Sequence, residues 1–383
     1  MKKDNIKYVG VNDSEIDLFE GQYKLPNGIS YNSYVILDEK IAVMDSVDIR
    51  FANQWINNIK SATHDIDPDY LIIQHMEPDH SSSIMHFIDA FPNAIIVSSS
   101  KAFDMMRGFF GRDFAACGIV VDENDILKLG RHSLKFITAP MVHWPEVVLS
   151  YDSYSNSLFS ADAFGKFGIF QNTDDWLDEA RRYYFGIVGK YGRQVRNLFD
   201  KLSGLHIKTI YPLHGPIIDK NIDYYLNKYN IWSNYEAEEN GVCIAYTSIY
   251  GNTKSAAELL YDLLLKGGVK CEIFDLARCD MHKAIANAFK YDRLVLASPT
   301  YNCGVFPFMR EFINNLNERN YQKRKIAFIE NGSWSPCATR VMKCMLARSK
   351  DLSFYHTEVN ILSSLNDESR AQIKMLAKEL IYR

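Results

Sequence analysis

The sequence predicts two domains, an α+β unit followed by a doubly wound α/β unit. Three observations carry this. The chain has 383 residues, more than a single hydrophobic core usually holds. Up to about residue 240 short β-rich runs alternate with turns, whereas beyond it β runs alternate with helical segments. The charged, aromatic stretch KYNIWSNYEAEENG, ending in Gly241, separates the two patterns and reads as a helix end and linker. The expected division is therefore 1–240 and 241–383.

In the first part the β runs are YVILDEKIAVMDSV, YLIIQH, AIIVSS, LKFITAP, VVLSYD and LFSADAF. Many gaps between them are too short for a crossover helix, so antiparallel hairpins are expected rather than βαβ units. From Asp174 to Leu202 apolar and aromatic residues recur at three- and four-residue steps, which predicts helix. In the second part VCIAY, a polar loop, a helix from about Lys254 to Lys266 closed by Gly267-Gly268, and CEIFDL make one βαβ unit. RLVLAS, a helix near Phe308–Asn317, KIAFIEN, another helix, TEVNIL and a terminal helix from about Asn366 follow. Five β runs separated by helices in roughly 140 residues predict an open parallel sheet.

With 47% hydrophobic and 23% charged residues, the composition is that of an ordinary globular protein with ample core. A net charge of −4 gives no electrostatic case for nucleic acid or an anionic membrane as partner. No apolar run approaches the roughly 18 residues that span a bilayer. MKKDNIKYVGVNDSEIDLFEG lacks the apolar core of a secretory signal, so a cytoplasmic location is expected. Seven cysteines sit at 117, 243, 271, 279, 303, 337 and 344, an odd number without a C-x-x-C pair. That argues against a disulfide framework and against a thiolate metal centre. Any metal here must be held by histidine and carboxylate.

Such residues are present in a suggestive pattern. His75-Met-Glu77-Pro-Asp79-His80 directly follows the strand-like YLIIQ. Alternate residues of a strand end point to one side, so His75, Glu77 and Asp79 can enter one pocket. The Ser81–Ser83 run is expected to open a helix. His143 follows LKFITAPMV, Asp162 follows LFSA and His214 follows IKTIYPL, all at similar strand ends. Imidazole with carboxylate suits iron, manganese or zinc. Three carboxylates over-supply one divalent ion. Two Fe(II) ions carry +4 against −3, and one hydroxide makes the set neutral, so a dinuclear site is favoured. Asp162 is the bridge candidate because it stands alone between the other clusters. His64, His86, His132, His206, His282 and His356 read as structural or surface residues.

A second constellation lies at β–α turns of the other half. Thr247-Ser248-Ile-Tyr250-Gly251-Asn252-Thr253 joins VCIAY to the following helix. The hydroxyls of Thr247, Ser248 and Thr253, the Asn252 amide and free helix N-terminal N–H groups can cradle a phosphate monoester. Gly251 permits the tight turn. The absence of GxGxxG and GxxxxGK[ST] excludes a dinucleotide fingerprint and a nucleotide P-loop. Ser298-Pro299-Thr300-Tyr301-Asn302-Cys303-Gly304 and Asn331-Gly-Ser333-Trp334-Ser-Pro336 follow two further strands, at the edge where doubly wound sheets bind ligands. Tyr301 and Trp334 could flank a planar isoalloxazine, with backbone groups around Asn302–Gly304 on its polar edge. With 23 Tyr in the chain, the plainer reading that such aromatics cover core stays open.

Together the motifs resemble the flavodiiron proteins over essentially the whole chain. The resemblance implies a metallo-β-lactamase-like αββα sandwich followed by a flavodoxin-like doubly wound parallel sheet. Glu77 stands where zinc hydrolases of the first fold carry the second histidine of HxHxDH. By resemblance His75, Glu77 and His143 bind one non-haem iron, Asp79 and His214 the other, and Asp162 bridges them. His80 matches a position that does not always coordinate. The three later loops take the place of the FMN loops, the third being less glycine-rich than in many members. The family's activity is reduction of O2 to water or of NO to N2O, with electrons from rubredoxin or a similar small donor. It also implies a head-to-tail homodimer or a dimer of dimers, and the minimal two-domain type without fused rubredoxin. The alternatives are a dinuclear zinc hydrolase fused to a flavodoxin-like module, and a non-enzymatic redox carrier with a vestigial metal site.

Overall fold

The computed structural model describes residues 5–114, 118–173 and 176–382. Cys117, and Asp174 at the expected start of the long helical region, lie outside them. The chain forms two compact units, Met1–Tyr229 and Asn230–Arg383.

The first unit contains two main sheets. One runs in the order Ile6–Tyr8, Tyr34–Ile36, Ala42–Met44, Tyr70–Ile72, Ile95–Ser98, Ile119–Val120. The other runs Ile126–Lys128, Ser133–Thr138, Val148–Asp152, Ser157–Phe159, Thr209–Tyr211. Tyr34, Ile36, Ala42, Met44, Ile72 and Val97 of the first share one core with Leu134, Phe136, Val148, Phe159 and Tyr211 of the second. These are alternate strand positions, so each sheet presents one face to that core. The intervening Val35 and Val43 are equally buried, which accounts for runs without polar alternation.

The expectation of hairpins holds only in part. Tyr34–Ile36 and Ala42–Met44 are antiparallel, as are the strands from Ile126 to Phe159. Ala42–Met44, Tyr70–Ile72, Ile95–Ser98 and Ile119–Val120 are parallel, as are Ser157–Phe159 and Thr209–Tyr211. Their connections contain the helices Ala52–Thr63, Ile84–Ala90 and Ser100–Phe110. Ala52–Thr63 buries Ala52, Trp55, Ile56 and Ile59, a helical stripe between the β runs, and Trp55 Nε1 donates to Ser33 Oγ at 2.9 Å. The helix expected to open at Ser81–Ser83 is present, with Ser83 as its N-cap residue but without a side-chain cap bond. Ser81 ends the short helix Pro78–Ser81, and its hydroxyl donates to the Met76 carbonyl; the next helix starts at Ile84. Helix fills the described part of the 174–202 region as Trp176–Tyr183, a π turn Tyr184–Val188, a 3-10 turn and Gly192–Leu202.

In the second unit all five main strand positions are parallel, in the order Cys271–Asp275, Glu239–Tyr246, Tyr291–Tyr301, Arg324–Asn331, then Leu352–Phe354 with Val359–Ile361. Val242, Ile244, Tyr246, Val295 and Ala297 pack with Leu260 and Leu264 of Asn252–Lys266 and with Leu376 and Leu380 of Asp367–Tyr382. Cys243, Ala245, Leu294 and Leu296 face the opposite side and are also buried, hence the continuous apolar runs. The helix Met281–Lys290 supplies the crossover from Cys271–Asp275 to Tyr291–Tyr301. Strand order reverses between Glu239–Tyr246 and its two neighbours, which opens a crevice at the carboxyl edge.

Candidate dinuclear metal centre and flavin cavity

In the first unit the candidate ligands stand at strand ends and converge. His143 Nε2 lies 3.0 Å from Glu77 Oε2, 3.0 Å from Asp162 Oδ2 and 3.3 Å from His75 Nε2. A second group holds His80 Nε2 3.0 Å from His214 Nε2, with Asp79 Oδ2 3.2 and 3.3 Å from them. Asp162 faces both: Oδ2 serves the first group, while Oδ1 is 3.5 Å from His80 Nε2 and 3.8 Å from His214 Nε2. All seven residues are thus in two lobes, His75, Glu77, His143 and Asp162 in one, Asp79, His80 and His214 in the other.

This donor set fits two cations. Ligand atoms 3.0–3.5 Å apart are what first-row ions about 2.0–2.2 Å from each would produce. Both Asp79 oxygens and Asp162 Oδ1 are buried and accept no hydrogen bond among the described residues. Buried carboxylates without donors are costly unless a cation is present. His75 and His214 are set for this role. Nδ1 of His75 donates to Glu146 Oε1 at 2.8 Å and Nδ1 of His214 to the Ser30 carbonyl at 2.7 Å, which leaves each Nε2 lone pair facing inward.

The scaffold beneath is tied together by polar contacts. Asp45 Oδ1 accepts the N–H groups of Gln74 and His75, and Gln74 Nε2 donates to the Phe159 carbonyl at 2.9 Å, joining the two sheets under the site. Asp45 and Ala161 take left-handed backbone angles, φ 52° and 49°, conformations that non-glycine residues hold only where the surroundings enforce them. Burial pushes the Asp45 carboxyl up to about 8. Burial opposes the protonated His143, but its bonds to Asp162 and Glu77 outweigh that and raise it to about 9. Burial also opposes ionised Glu77, yet His143 and His75 hold it well below the usual carboxylate range. The groups satisfy one another by sharing charge, a part that bound cations would take over.

In the second unit the three loops meet around a cavity of about 650 Å³. Ser248, Tyr250, Asn252, Thr253, Pro299, Thr300, Asn302, Cys303, Ser333 and Trp334 line it. Thr247, Gly251, Tyr301 and Gly304 do not. Thr247 is buried beneath, its hydroxyl donating to Ser298 Oγ at 3.1 Å. Gly251, at φ 92°, makes the turn into Asn252–Lys266, and its N–H donates to Ser248 Oγ. Tyr301 packs edge-on against Phe306, and Tyr301 pairs with Gly304 in a tight antiparallel ladder. Of the two aromatics expected at a ring system, the cavity therefore receives Trp334, with Tyr250 beside the first loop. Thr300 Oγ1 accepts from the Cys337 and Ala338 N–H groups and holds the third loop against the second.

Some lining and supporting residues escaped the sequence reading. Ser363 lines the cavity just beyond Val359–Ile361, so the strand-end rule applied to the fifth β run would have found it. Cys337 and Arg340 enter from the start of the helix Ala338–Leu346, which follows the third loop. Glu146 and Asp45 touch His75 from 71 and 30 residues away, and no local spacing announces them.

Fold and sites together define a redox protein in which a histidine-carboxylate metal domain is followed by a flavodoxin domain. The family description "ODP family beta lactamase" matches residues 29–215, and "Flavodoxin domain" matches 243–377. A nitric oxide reductase of Moorella thermoacetica is 29% identical over 359 residues, covering 91% of this chain and 89% of its own. Rubredoxin oxygen:oxidoreductase from Desulfovibrio gigas superposes with a TM-score of 0.90 at 25% identity, over 100% of this chain and 97% of the other. The flavodiiron protein of Giardia intestinalis gives 0.87 at 25% identity, over 100% and 95%. The chain belongs to the flavodiiron protein family and is an oxidoreductase. No helix among the described residues is long and apolar enough to cross a membrane.

Proposed function

We propose that this protein reduces O2 to water or NO to N2O at two non-haem irons in residues 1–240, with FMN in residues 241–383 as the source of electrons. The single observation that carries the proposal is the division of Asp162, whose two oxygens face two separate histidine-carboxylate groups. His75, Glu77 and His143 would hold one iron, Asp79 and His214 with His80 the other, and Asp162 both. When bound, the irons supply two electrons and FMN two more, enough for O2 and more than enough for a pair of NO. The protein's own part is positional. Glu146 and the Ser30 carbonyl keep imidazole lone pairs inward, within a cluster whose members are buried except for the partly exposed Glu77. In the cavity of the second unit Ser248, Asn252 and Thr253 would take the phosphate at the helix N-terminus and Trp334 the ring.

The names of the relatives support either gas, and one of them supports rubredoxin, or a similar small carrier, as donor. A head-to-tail homodimer in the cytoplasm completes the reading. The test is metal and flavin content of the purified protein, then anaerobic turnover of each gas with reduced rubredoxin. Two irons, one FMN and consumption of at least one gas are expected. Two zincs, hydrolysis of esters or lactams and no gas consumption would replace the proposal with the fused hydrolase.

A further inference from the structure

We infer that Glu146 is a positioning residue that makes the two halves of the dinuclear centre unequal. It strengthens the hold on the metal at His75, Glu77 and His143 relative to the one at Asp79, His80 and His214. The inference rests on the diiron reading above. The number of candidate donors does not set the halves apart, because each has two imidazole nitrogens, one carboxylate of its own and one oxygen of Asp162.

The difference lies behind the imidazoles. Glu146 is 2% exposed, and its Oε1 lies 2.8 Å from His75 Nδ1. The same oxygen accepts the Met76 N–H at 2.8 Å, so it cannot swing from the ring without abandoning a buried backbone donor. Oε2 accepts no hydrogen bond among the described residues, which leaves His75 as the side chain on which the anion acts. In the other half His214 Nδ1 donates to a neutral carbonyl, and His80 Nδ1 is buried with no partner among the described residues. A carboxylate draws the Nδ1 proton and raises the donor strength of Nε2 more than a carbonyl does, and an empty position adds nothing. Inside the protein, where water does not screen it, that contrast persists at the metal. The result is one half that stays assembled and one whose ligands yield more readily to an incoming molecule.

The test follows iron release from reduced protein into excess ferrozine under anaerobic conditions, after metal content has been measured. Wild-type protein should release iron in two phases of equal amplitude. Glu146→Gln keeps an oxygen for Met76 and His75 but removes the charge. The slow phase should then accelerate about tenfold while the fast phase stays unchanged. In Mössbauer spectra of isotope-enriched protein, one of the two iron signals should shift and the other remain. Equal acceleration of both phases, or an unshifted spectrum, overturns the inference. Should Glu146→Gln not load iron, Glu146→Asp, which keeps the charge but shortens the reach to His75, should load it and speed the slow phase alone; equal acceleration of both phases in that variant, or single-phase release from wild-type protein, overturns the inference. Protein purified without iron, or with zinc, defeats the diiron reading instead, and metal content shows this before release is measured.

Discussion

Trp334 is 81% exposed at the cavity where FMN is proposed to bind, so a ring laid on it would remove a measurable area from water. A tryptophan side chain presents up to about 250 Å², of which about 200 Å² is open here; a flat ring on one face covers about half, or ~100 Å². At about 25 cal/mol per Å² that is ~2.5 kcal/mol. Trp334→Ala should therefore weaken FMN binding by about 60-fold, since about 1.4 kcal/mol is tenfold. Tyr301→Ala is the matched control, because Tyr301 packs on Phe306 and does not line the cavity. Its effect should stay within about threefold. The assay is quenching of flavin fluorescence as FMN is titrated into flavin-depleted protein. A Trp334 variant with wild-type affinity, or a Tyr301 variant as weak as it, refutes the placement of the ring.

Three other perturbations follow from the geometry. Glu77→Ala removes the carboxylate 3.0 Å from His143 Nε2 and should lose iron and activity with both gases while FMN stays bound; normal activity would undo the ligand assignment. Thr300→Val deprives the Cys337 and Ala338 N–H groups of their acceptor and should lower stability by about 1–2 kcal/mol, read by denaturant unfolding, where an unchanged midpoint contradicts it. In metal-free protein the folded state holds a proton on Asp45 up to about pH 8, against 3.8 as the ordinary value. That stability is full below the ordinary value and is lost as pH rises through 8. Relative to Asp45→Asn, wild-type protein should lose about 4 kcal/mol between about pH 5 and about pH 9, taking about 1.36 kcal/mol per unit. A difference that does not vary with pH removes the basis for the shift.

Much of the architecture was legible in local pattern. VCIAY, RLVLAS and KIAFIEN are apolar on both faces because helices cover both, and that pattern survives without coordinates. Strand direction in the first unit was not legible. Ala52–Thr63 reads as a polar gap with scattered apolar residues until Trp55, Ile56 and Ile59 are seen to share one face, and only then do its flanking strands become parallel. At the flavin cavity, loop membership was visible, but the side of the backbone each residue takes was not. Thr247 and Ser248 are neighbours, yet one is buried against Ser298 and the other faces the cavity.

By itself the sequence determined the kinds of candidate ligand, their strand-end positions and the charge that favours two metals over one, because these depend on residue type and short spacing. It also determined that the second half winds as a parallel sheet with loops at one edge. Tertiary structure decided which candidate ligand faces which. Asp162 serves both lobes and His80 joins the second because two sheets bring separate strand ends together, a relation no spacing encodes. It alone placed Glu146 behind His75, 71 residues earlier. Residues that act through another side chain leave no pattern of their own, since their partner is chosen by packing rather than by position in the chain.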